Sequence, residues 1–382
     1  MPEQPRGAVI TGIGVVTAAG SGVAAAWERL TARTAAGEPW SPDGDEPTFQ
    51  AAPVPESYRP HPEIPRNLIH VLDRGALFAM DAALQAVESA GLGAGSGDAR
   101  RFAVVDGLAY RAPGQATLFV PYGQTVARMF GVRGTVLEVG GAEASGLVAI
   151  ATACRMVERG EAEVVIAGAA QGLQRPLLDH LRAQGFASRE PGRPFDAAHA
   201  GATPAEAAAY VVVEAPAHAQ ARGAPALARV AGSAINFDPL AEPLAISDAA
   251  EAGRAQQDAL GAAGYLQNQV DLLVSCADGR PTVDFAEGYA VRRIFGTHAH
   301  YLTVTAHAGA LGGALAASGS LGAALAVESM RRDHVFAITG FETPEQDLDL
   351  AYAKTSREEK AGCVMVTALG VGGTDVALLL ER

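Results

Sequence analysis

Two stretches of this sequence follow the same pattern, and that repetition most limits the folds open to the chain. In the first, a helix of small residues predicted over 143–159 leads into the apolar run Ala162-Glu-Val-Val-Ile-Ala-Gly. In the second, a similar helix predicted over 311–330 leads into Val335-Phe-Ala-Ile-Thr-Gly. Continuous apolar runs are typical of strands that are buried on both faces, as in parallel sheets. The pattern therefore predicts a duplicated βαβ unit whose helices pack against a buried sheet.

The remaining periodicity predicts further elements on both sides of a boundary that divides the chain into halves of residues 1–225 and 226–382. Residues 34–66 are rich in Pro, Glu, Asp and Gly, and we expect a surface loop there. The predicted strands are 8–16, 101–105, 135–139, 210–214, 227–235, 270–275, 301–304 and 376–381, and the other predicted helices are 23–33, 71–90, 249–263 and 284–295.

The composition indicates a large folded core. Of the 382 residues, 49% are hydrophobic and only 19% are charged. Disordered chains and coiled coils are richer in charge, and collagen requires a strict glycine period, so these classes are excluded. The low charged fraction leaves little polar surface to cover an isolated globule.

Charge and cysteine usage exclude several kinds of partner. The formal net charge is −13 and no long block of Lys or Arg occurs, so we expect no nucleic-acid partner and no binding to an anionic membrane. Cys154, Cys276 and Cys363 have no metal-ligand spacing and are odd in number. That pattern favours a reducing, cytoplasmic location without a disulfide framework. The N-terminal residues do not resemble a signal peptide.

Residues 308–327 are twenty consecutive positions without a charge, which is long enough for a membrane-spanning helix. The segment is mostly Ala and Gly, and these residues favour membrane insertion much less than Leu, Ile, Phe and Val do. We therefore interpret it as a core helix that packs closely among other helices.

Three motifs lie in order along the chain: Val9-Ile-Thr-Gly-Ile-Gly-Val-Val-Thr, Arg193-Pro-Phe-Asp and Leu369-Gly-Val-Gly-Gly-Thr-Asp. They resemble the opening strand, the central R-P-F-D motif and the C-terminal F-G-F-G-G-T-N loop of β-ketoacyl synthases. The resemblance implies an α/β, thiolase-like fold, in which two pseudo-symmetric βαβαβ halves form a layered α-β-α-β-α sandwich. It also implies a dimer, whose apolar face we expect to include the strand over 135–139.

The chemistry implied by this resemblance needs a cysteine nucleophile at a helix N-terminus and two histidines. The stretch beginning at Gly141, G-A-E-A-S-G-L-V-A-I, is similar to the family's T-A-C-A-S-S-L-V-A-I, so Glu143 stands at the cysteine position. A carboxylate there caps the helix or acts as a fixed charge. The alternative is a carboxylate nucleophile, which would form a reactive mixed anhydride.

The two histidine positions are also replaced. Asp278, in A-D-G-R-P, stands for the histidine of H-G-T-G-T-P, and an ionised Asp cannot donate a hydrogen bond to an oxyanion. In T-A-H-A-G-A, similar to K-S-x-x-G-H, Ala310 replaces the second histidine and Thr305 the lysine. His307 lies close by in another register, and Val371 replaces the second Phe of the C-terminal loop.

Loss of all three catalytic residues together with retention of the fold motifs resembles the chain length factors. These are the non-catalytic partners of ketosynthases in bacterial type II polyketide synthases, and they usually carry Gln where this chain has Glu143. The resemblance implies a heterodimer with a catalytic ketosynthase and an acyl carrier protein that carries the growing chain. It implies neither a cofactor nor a metal.

The segment after Gly107 is shorter than is usual in the family, whose members carry a longer stretch of helix at the dimer interface. In the chain length factors this region lines the end of the acyl tunnel and limits product length. Its candidate tunnel or gate residues are Leu108, Ala109, Tyr110 and Phe119. Tyr110 is either a plug of the tunnel or an exposed turn residue.

Two alternatives remain open at this point. One is an acyltransferase or cyclase with altered chemistry that uses Glu143, Asp278 and His307; the other is a purely structural stabiliser of a partner. We expect the acidic acyl carrier protein to dock mainly on the partner subunit. The paired arginines at 292–293 and 331–332 would contribute to that docking or be simply solvated.

Overall fold

The computed structural model describes residues 7–40, 49–93, 97–110, 121–239 and 249–382. The strands are β1 (Ala8–Thr17), β2 (Gly20–Ser21), β3 (Glu38–Trp40), β4 (Phe49–Ala51), β5 (Phe102–Gly107), β6 (Val136–Val139), β7 (Val164–Gln171), β8 (Ala207–Glu214), β9 (Ala228–Phe237), β10 (Leu272–Ser275), β11 (Thr303–Ala306), β12 (His334–Val335), β13 (Arg357–Glu358), β14 (Cys363–Gly370) and β15 (Thr374–Glu381).

The helices are α1 (Val23–Thr31), α2 (Arg66–Ile69), α3 (Arg74–Ser89), α4 (Tyr122–Met129), α5 (Ser145–Glu158), α6 (Arg175–Ala183), α7 (Pro216–Ala221), α8 (Ala250–Ala263), α9 (Pro281–Phe295), α10 (Ala308–Leu311) and α11 (Ser318–Arg332). Short 3₁₀ turns add to them, and one, Ala142–Ala144, leads directly into α5.

The main sheet runs in the order β11-β10-β14-β15-β9-β1-β8-β7-β5-β6, with β2 paired to β1. In the N-terminal part β6, β5 and β7 are parallel, while β8 and β1 continue the sheet antiparallel. In the C-terminal part β11, β10 and β14 are parallel, while β15 and β9 continue it antiparallel. The two arrangements match strand for strand and join where β1 pairs with β9.

Helices cover the sheet in layers. α5 packs on β7 and β5, α11 packs on β14, and the two helices contact each other between the two parts of the sheet. α3 packs on β1 and β8, while α8 packs on β9 and β15. Residues Ser318 to Met330 of α11 are all buried. This is the layered α/β arrangement of a thiolase-like fold, as the sequence predicted; the division into 1–225 and 226–382 remains a prediction.

Glycines let helix and strand backbones come close. A Cβ at Gly14 of β1 would lie 2.1 Å from the carbonyl oxygen of Ala82 in α3, and one at Gly12 would lie 2.0 Å from that of Ala86. Because no side chain fits at these distances, α3 rests directly on the backbone of β1. The small residues of the sequence are therefore a packing requirement of the layers.

The predicted helix over 311–330 is wrong in its first part. After α10 the chain turns at Gly312, whose φ is 82°, and passes through a 3₁₀ turn at Leu315–Ala317 before α11 begins at Ser318. The cause is pairing with another segment, since the Gly313 N–H donates to the Thr203 carbonyl at 2.8 Å and the Ala205 N–H donates to the Gly313 carbonyl at 3.0 Å. None of the helices in the described ranges combines the length and hydropathy needed to cross a bilayer.

The strand predicted at 335–340 is also mostly wrong. Only His334–Val335 is a strand, and it pairs with β13 outside the main sheet. Beyond it the Ala337 N–H donates to the Ser356 hydroxyl at 3.0 Å, and the Ile338 N–H to the Ala353 carbonyl at 2.9 Å. The sheet position equivalent to β7 is filled instead by β14, an apolar strand that the sequence analysis missed. The expected loop over 34–66 likewise contains β3 and β4, with Phe49 and Ala51 buried.

The contact between β1 and α3 predicts a difference between two glycine substitutions. Gly14→Ala should lower the free energy of unfolding by about 1–3 kcal/mol, because its Cβ overlaps backbone. Gly261 lies in α8 with nothing within 4 Å of its Cβ position, so Gly261→Ala should raise stability by up to about 1 kcal/mol. Urea denaturation of both variants measures the two effects, and equal changes would contradict this packing.

Candidate functional site

The turn at the start of α5 directs Glu143 into the protein. Ala142 has φ 53°, in the left-handed region that non-glycine residues rarely adopt. Glu143 follows and is only 3% exposed. No side-chain hydrogen bond caps either this turn or α5, so the predicted capping role of Glu143 is wrong. Its carboxylate instead reaches across to other segments.

Three segments converge on the Glu143 carboxylate. Its Oε2 accepts hydrogen bonds from the Tyr110 hydroxyl at 2.8 Å and from the Val371 N–H at 2.9 Å. Its Oε1 lies 2.8 Å from Nη2 of Arg280. Tyr110 follows β5, Val371 lies in the turn between β14 and β15, and Arg280 immediately precedes α9. Oε2 is therefore hydrogen-bonded, whereas Oε1 contacts the guanidinium as an ion pair without forming a hydrogen bond.

Arg280 joins Glu143 to Asp278. Its Nε donates to both carboxylate oxygens of Asp278 at 3.1 and 3.0 Å, and its Nη2 lies 2.9 Å from Oδ2 of Asp278. The guanidinium also lies over the ring of Phe186, 4.1 Å from its centroid. One cation thus sits between two carboxylates and against an aromatic face, an arrangement that suits the planar guanidinium.

The protonation states of this cluster follow from burial and charge. Burial alone would lower the pKa of Arg280, but Asp278 and Glu143 outweigh that effect and raise it, so the guanidinium stays charged. Burial raises the pKa of Asp278, with Arg280 opposing the shift. Burial and the neighbouring Glu143 raise the pKa of Tyr110. The phenol therefore remains protonated and donates to the carboxylate.

A third carboxylate, Asp284, fixes the backbone that carries Asp278 and Arg280. Its Oδ1 accepts from the N–H groups of Asp278 and Gly279 at 3.0 and 3.1 Å, and its Oδ2 accepts from that of Phe195 at 2.7 Å. His199 lies 3.0 Å from the same Oδ2 through Nδ1 and 3.0 Å from Glu345 through Nε2. A hydrogen bond to Asp284 raises the pKa of His199.

A cavity of about 260 Å³ opens beside the cluster. Its walls are mainly apolar, and its chemically active groups are Tyr110, Glu143, His180 and Arg280. The remaining lining residues are Leu181, Gln184, Gly185, Phe186, Ala200, Gly201, Pro281, Thr282, Val283 and Val371. No thiol belongs to this lining within the described part of the chain.

Cys276 lies two residues before Asp278, but its thiol is buried and bonded away from the cavity. Its Sγ donates to Oε1 of the buried Glu287 at 3.1 Å and accepts from the Leu369 N–H at 3.1 Å. Burial, followed by the charge of Glu287, raises the pKa of this thiol well above its ordinary value. A buried, protonated thiol does not attack an acyl thioester.

Three other predicted positions lie away from this cavity. The Thr305 hydroxyl donates to the Phe336 carbonyl at 2.6 Å, and the Ala310 carbonyl accepts from Nε of Arg29 at 2.8 Å. His307 is buried, with Nε2 at 3.2 Å from the Ser318 carbonyl oxygen, and burial lowers its pKa to about 4. The structure thus brings Glu143, Asp278, Tyr110 and Val371 together, and it leaves Thr305, Ala310 and His307 out.

The predicted gate residues likewise lie in different surroundings, and of those described only Tyr110 lines the cavity. The Leu108 N–H donates to the Val139 carbonyl at 2.8 Å while its side chain is largely exposed, and Ala109 packs against the cluster of apolar residues around α3. Tyr110 is anchored to Gln171 through its backbone, since its N–H donates to Oε1 at 2.7 Å. Phe119 lies outside the described residues.

The paired arginines have local roles. Arg331 and Arg332 both form ion pairs with Glu328, at 2.8 and 2.6 Å. Arg292 donates to the carbonyl of Asp347, and Arg293 lines a separate surface cavity. The predicted docking role of either pair remains untested.

Sequence reasoning missed the role of Arg280. The residue is visible in the A-D-G-R-P segment, but it was treated only as part of the motif that lost its histidine. A usable signal was that the resemblance placed two carboxylates, Glu143 and Asp278, in one expected site, since two buried acids close together require a compensating cation.

Family models match most of the chain. The model described as beta-ketoacyl synthase, N-terminal domain, matches residues 6–219, and the model described as beta-ketoacyl synthase, C-terminal domain, matches residues 227–342. The chain is 28% identical to a Coxiella burnetii protein named 3-oxoacyl-[acyl-carrier-protein] synthase 2, with 99% of each covered. It is 29% identical to a Streptomyces violaceoruber protein named as a granaticin polyketide beta-ketoacyl synthase 1, with 99% and 98% covered.

Solved structures of similar proteins superpose on nearly the whole chain. A beta-ketoacyl synthase from Burkholderia phymatum superposes with a TM-score of 0.89 at 26% identity, and 99% of each chain is covered. A structure described as the ishigamide ketosynthase/chain length factor superposes with a TM-score of 0.87 at 22% identity, also with 99% of each covered. At that identity the second likeness shows the fold alone.

The Arg280 cluster predicts that removing its buried positive charge lowers the free energy of unfolding far more than removing an exposed one. Arg280→Met should lower the free energy of unfolding by about 3–5 kcal/mol, because it leaves Glu143 and Asp278 buried without their cation. Arg293→Met, at an exposed position in the helix α9 that follows Arg280, should change it by less than about 0.5 kcal/mol. Urea denaturation at neutral pH compares the two; equal effects would contradict a buried charge cluster.

His199 predicts a pH dependence of stability. Its pKa is raised in the folded protein, so its contribution is fully present below the ordinary pKa of about 6.5 and is lost as the pH rises through the raised value. The difference in unfolding free energy between the wild type and His199→Gln should therefore be largest at mildly acidic pH and shrink on the alkaline side. A difference that grows with pH would contradict the pairing with Asp284 and Glu345.

Proposed function

The chain belongs to the beta-ketoacyl synthase family, and from that membership we propose that it is a non-catalytic chain length factor of a type II polyketide synthase. In this role it pairs with a catalytic ketosynthase, shapes the tunnel that the growing acyl chain enters and limits the length of the product. The partner supplies the cysteine and histidines that this chain lacks.

The observation that carries the proposal is the state of Glu143. Its two oxygens are occupied by Arg280, Tyr110 and the Val371 N–H. A carboxylate held by a cation and two donors is a poor nucleophile, because its charge is already stabilised. Asp278, bound to the same guanidinium, offers no hydrogen-bond donor for an oxyanion. The contacts of this site stabilise the charges of Glu143, Asp278 and Arg280 and leave neither carboxylate free for acyl transfer.

The relatives support the proposed setting. One of them is named for granaticin polyketide synthesis, and one superposed structure is described as a ketosynthase/chain length factor. The Coxiella relative carries the acyl carrier protein in its name. We propose by extension that the chain carried by such a protein is the molecule that passes along the shared tunnel, with the carrier protein docking mainly on the partner.

The edge strand β6 is the proposed contact with the ketosynthase. It ends the main sheet, so its outer backbone groups face away from β5, and an edge strand of this kind readily pairs with another chain. Leu137 on β6 and Leu108 after β5 are exposed by 37% and 46%. Exposed leucines beside a sheet edge fit the apolar core of an obligate interface.

Tyr110 is proposed to close the route from this interface to the cavity beside Glu143. It lines that cavity two residues after the exposed Leu108, and its hydroxyl donates to Glu143. Tyr110→Ala should lengthen the products of the complex, because it opens space at the end of the passage. Tyr110→Phe keeps the ring and should leave product length unchanged. Unchanged lengths in both variants would instead favour the purely structural stabiliser.

The alternative with altered chemistry is less well supported. It requires Glu143, Asp278 and His307 to act together, but His307 is buried away from the cavity lining. Glu143 would also have to leave Arg280 before it could attack an acyl group.

The proposal predicts the behaviour of the isolated chain and of the complex. Alone, the purified chain should form no carbon–carbon bond from acyl and malonyl carrier thioesters, whereas a 1:1 complex with its ketosynthase should form one. In that complex Glu143→Gln should retain activity, like the exposed control Glu342→Gln, because it removes no catalytic group. A loss on the order of 100-fold for Glu143→Gln alone would overturn the non-catalytic role. Product mass spectrometry and native mass measurement provide both readouts.

A further inference from the structure

A second and larger cavity lies on the surface beside α9. It is an open trough of about 770 Å³, lined by His199, Ala249, Ala250, Pro281, Thr282, Phe285, Ala286, Tyr289, Arg293 and Glu345. Pro281 and Thr282 also line the cavity beside Glu143, so they form the wall between the two. The volume is in the range of small-molecule sites, which is about 300–1,000 Å³.

One face of α9 forms the floor of this trough. Thr282, Phe285, Tyr289 and Arg293 follow one another at spacings of three and four, which places them in a single stripe along the helix. At about 1.5 Å per residue the stripe is about 16 Å long. A ligand that covers it would therefore be elongated.

The middle of the stripe is aromatic and exposed. Phe285 and Tyr289 are exposed by 50% and 45%, and their rings stack with centroids 5.8 Å apart and planes at 17°. Large apolar side chains in contact with water gain free energy when a ligand covers them, by about 25 cal/mol per Å² of apolar surface removed from water. Two such rings beside a cavity mark a surface that favours an apolar body.

The charge of the trough is concentrated at one end. Of its lining residues, His199 lies 3.0 Å from Glu345 and 3.0 Å from the buried Asp284, so one imidazole faces two carboxylates and this group carries no excess positive charge. Arg293 forms no ion pair with any described residue. Its guanidinium is the uncompensated charge, at the end of the stripe away from Thr282, on a chain whose formal net charge is −13.

From this arrangement we propose that the trough binds an elongated anion with an apolar body, such as a fatty carboxylate. The acidic head pairs with Arg293, and the apolar body lies along Tyr289 and Phe285 toward Thr282. The site is separate from the cavity beside Glu143, and its occupancy does not depend on the chain-length role proposed above.

Isothermal titration calorimetry of the full chain with dodecanoate tests this site, with dodecyltrimethylammonium as a cation of matched chain length. Dodecanoate should bind at least about tenfold more tightly than the cation, a factor that corresponds to about 1.4 kcal/mol. Phe285→Ala/Tyr289→Ala should weaken dodecanoate binding by a similar factor. Arg293→Gln should remove most of the preference for the anion. Each variant should unfold like the wild type, because all three side chains are exposed.

Two control variants separate this site from general detergent-like adsorption. Tyr301→Ala removes an aromatic ring that is 79% exposed on another surface, and Arg331→Gln removes an exposed arginine of α11. Neither should alter dodecanoate binding. Equal binding of the anion and the cation, no binding of dodecanoate, or equal losses in the control and trough variants would overturn the proposal.

Discussion

The Arg280 guanidinium, held between Glu143 and Asp278 over the ring of Phe186, is the interaction on which the site depends. Burying two carboxylates costs several kcal/mol unless a cation and hydrogen bonds compensate. Arg280 supplies the cation, while Tyr110 and the Val371 N–H complete the hydrogen bonds of Glu143. These groups come from separate segments of the chain. The charge cluster therefore joins the turn before α5, the residues before α9 and the turn between β14 and β15.

The rest of the fold fixes the positions of these segments relative to one another. Asp284 binds the backbone of Asp278 and Gly279, so the position of Arg280 is set by a third buried carboxylate. The turn between β14 and β15 presents the Val371 N–H, and the short turn before α5 presents Glu143. Close packing through small residues, with α5 against α11 and α3 directly on β1, allows two matching halves to meet around the site.

The layered fold could be predicted from the sequence because continuous apolar runs indicate buried strands. The three motifs, in their order along the chain, added the resemblance to a family of known fold. Glu143, Asp278 and Val371 were found in the same way, as replacements within recognisable motifs. The turn at Gly312 was missed because it is fixed by pairing with Thr203, which leaves no local pattern. The strand β14 was missed although its sequence is an apolar run, because no helix of small residues leads directly into it. The charge cluster was missed for the same reason, since the contact between Arg280 and Glu143 exists only after the halves fold together.

The central claim is that the carboxylate of Glu143 holds charge and does not carry the acyl chain. Intact-mass measurement of both subunits, after the complex is incubated with an acyl carrier thioester and no malonyl unit, tests it directly. The account predicts an acyl adduct on the ketosynthase subunit alone, with this chain at its unmodified mass. An adduct on this chain that disappears in Glu143→Gln would contradict it.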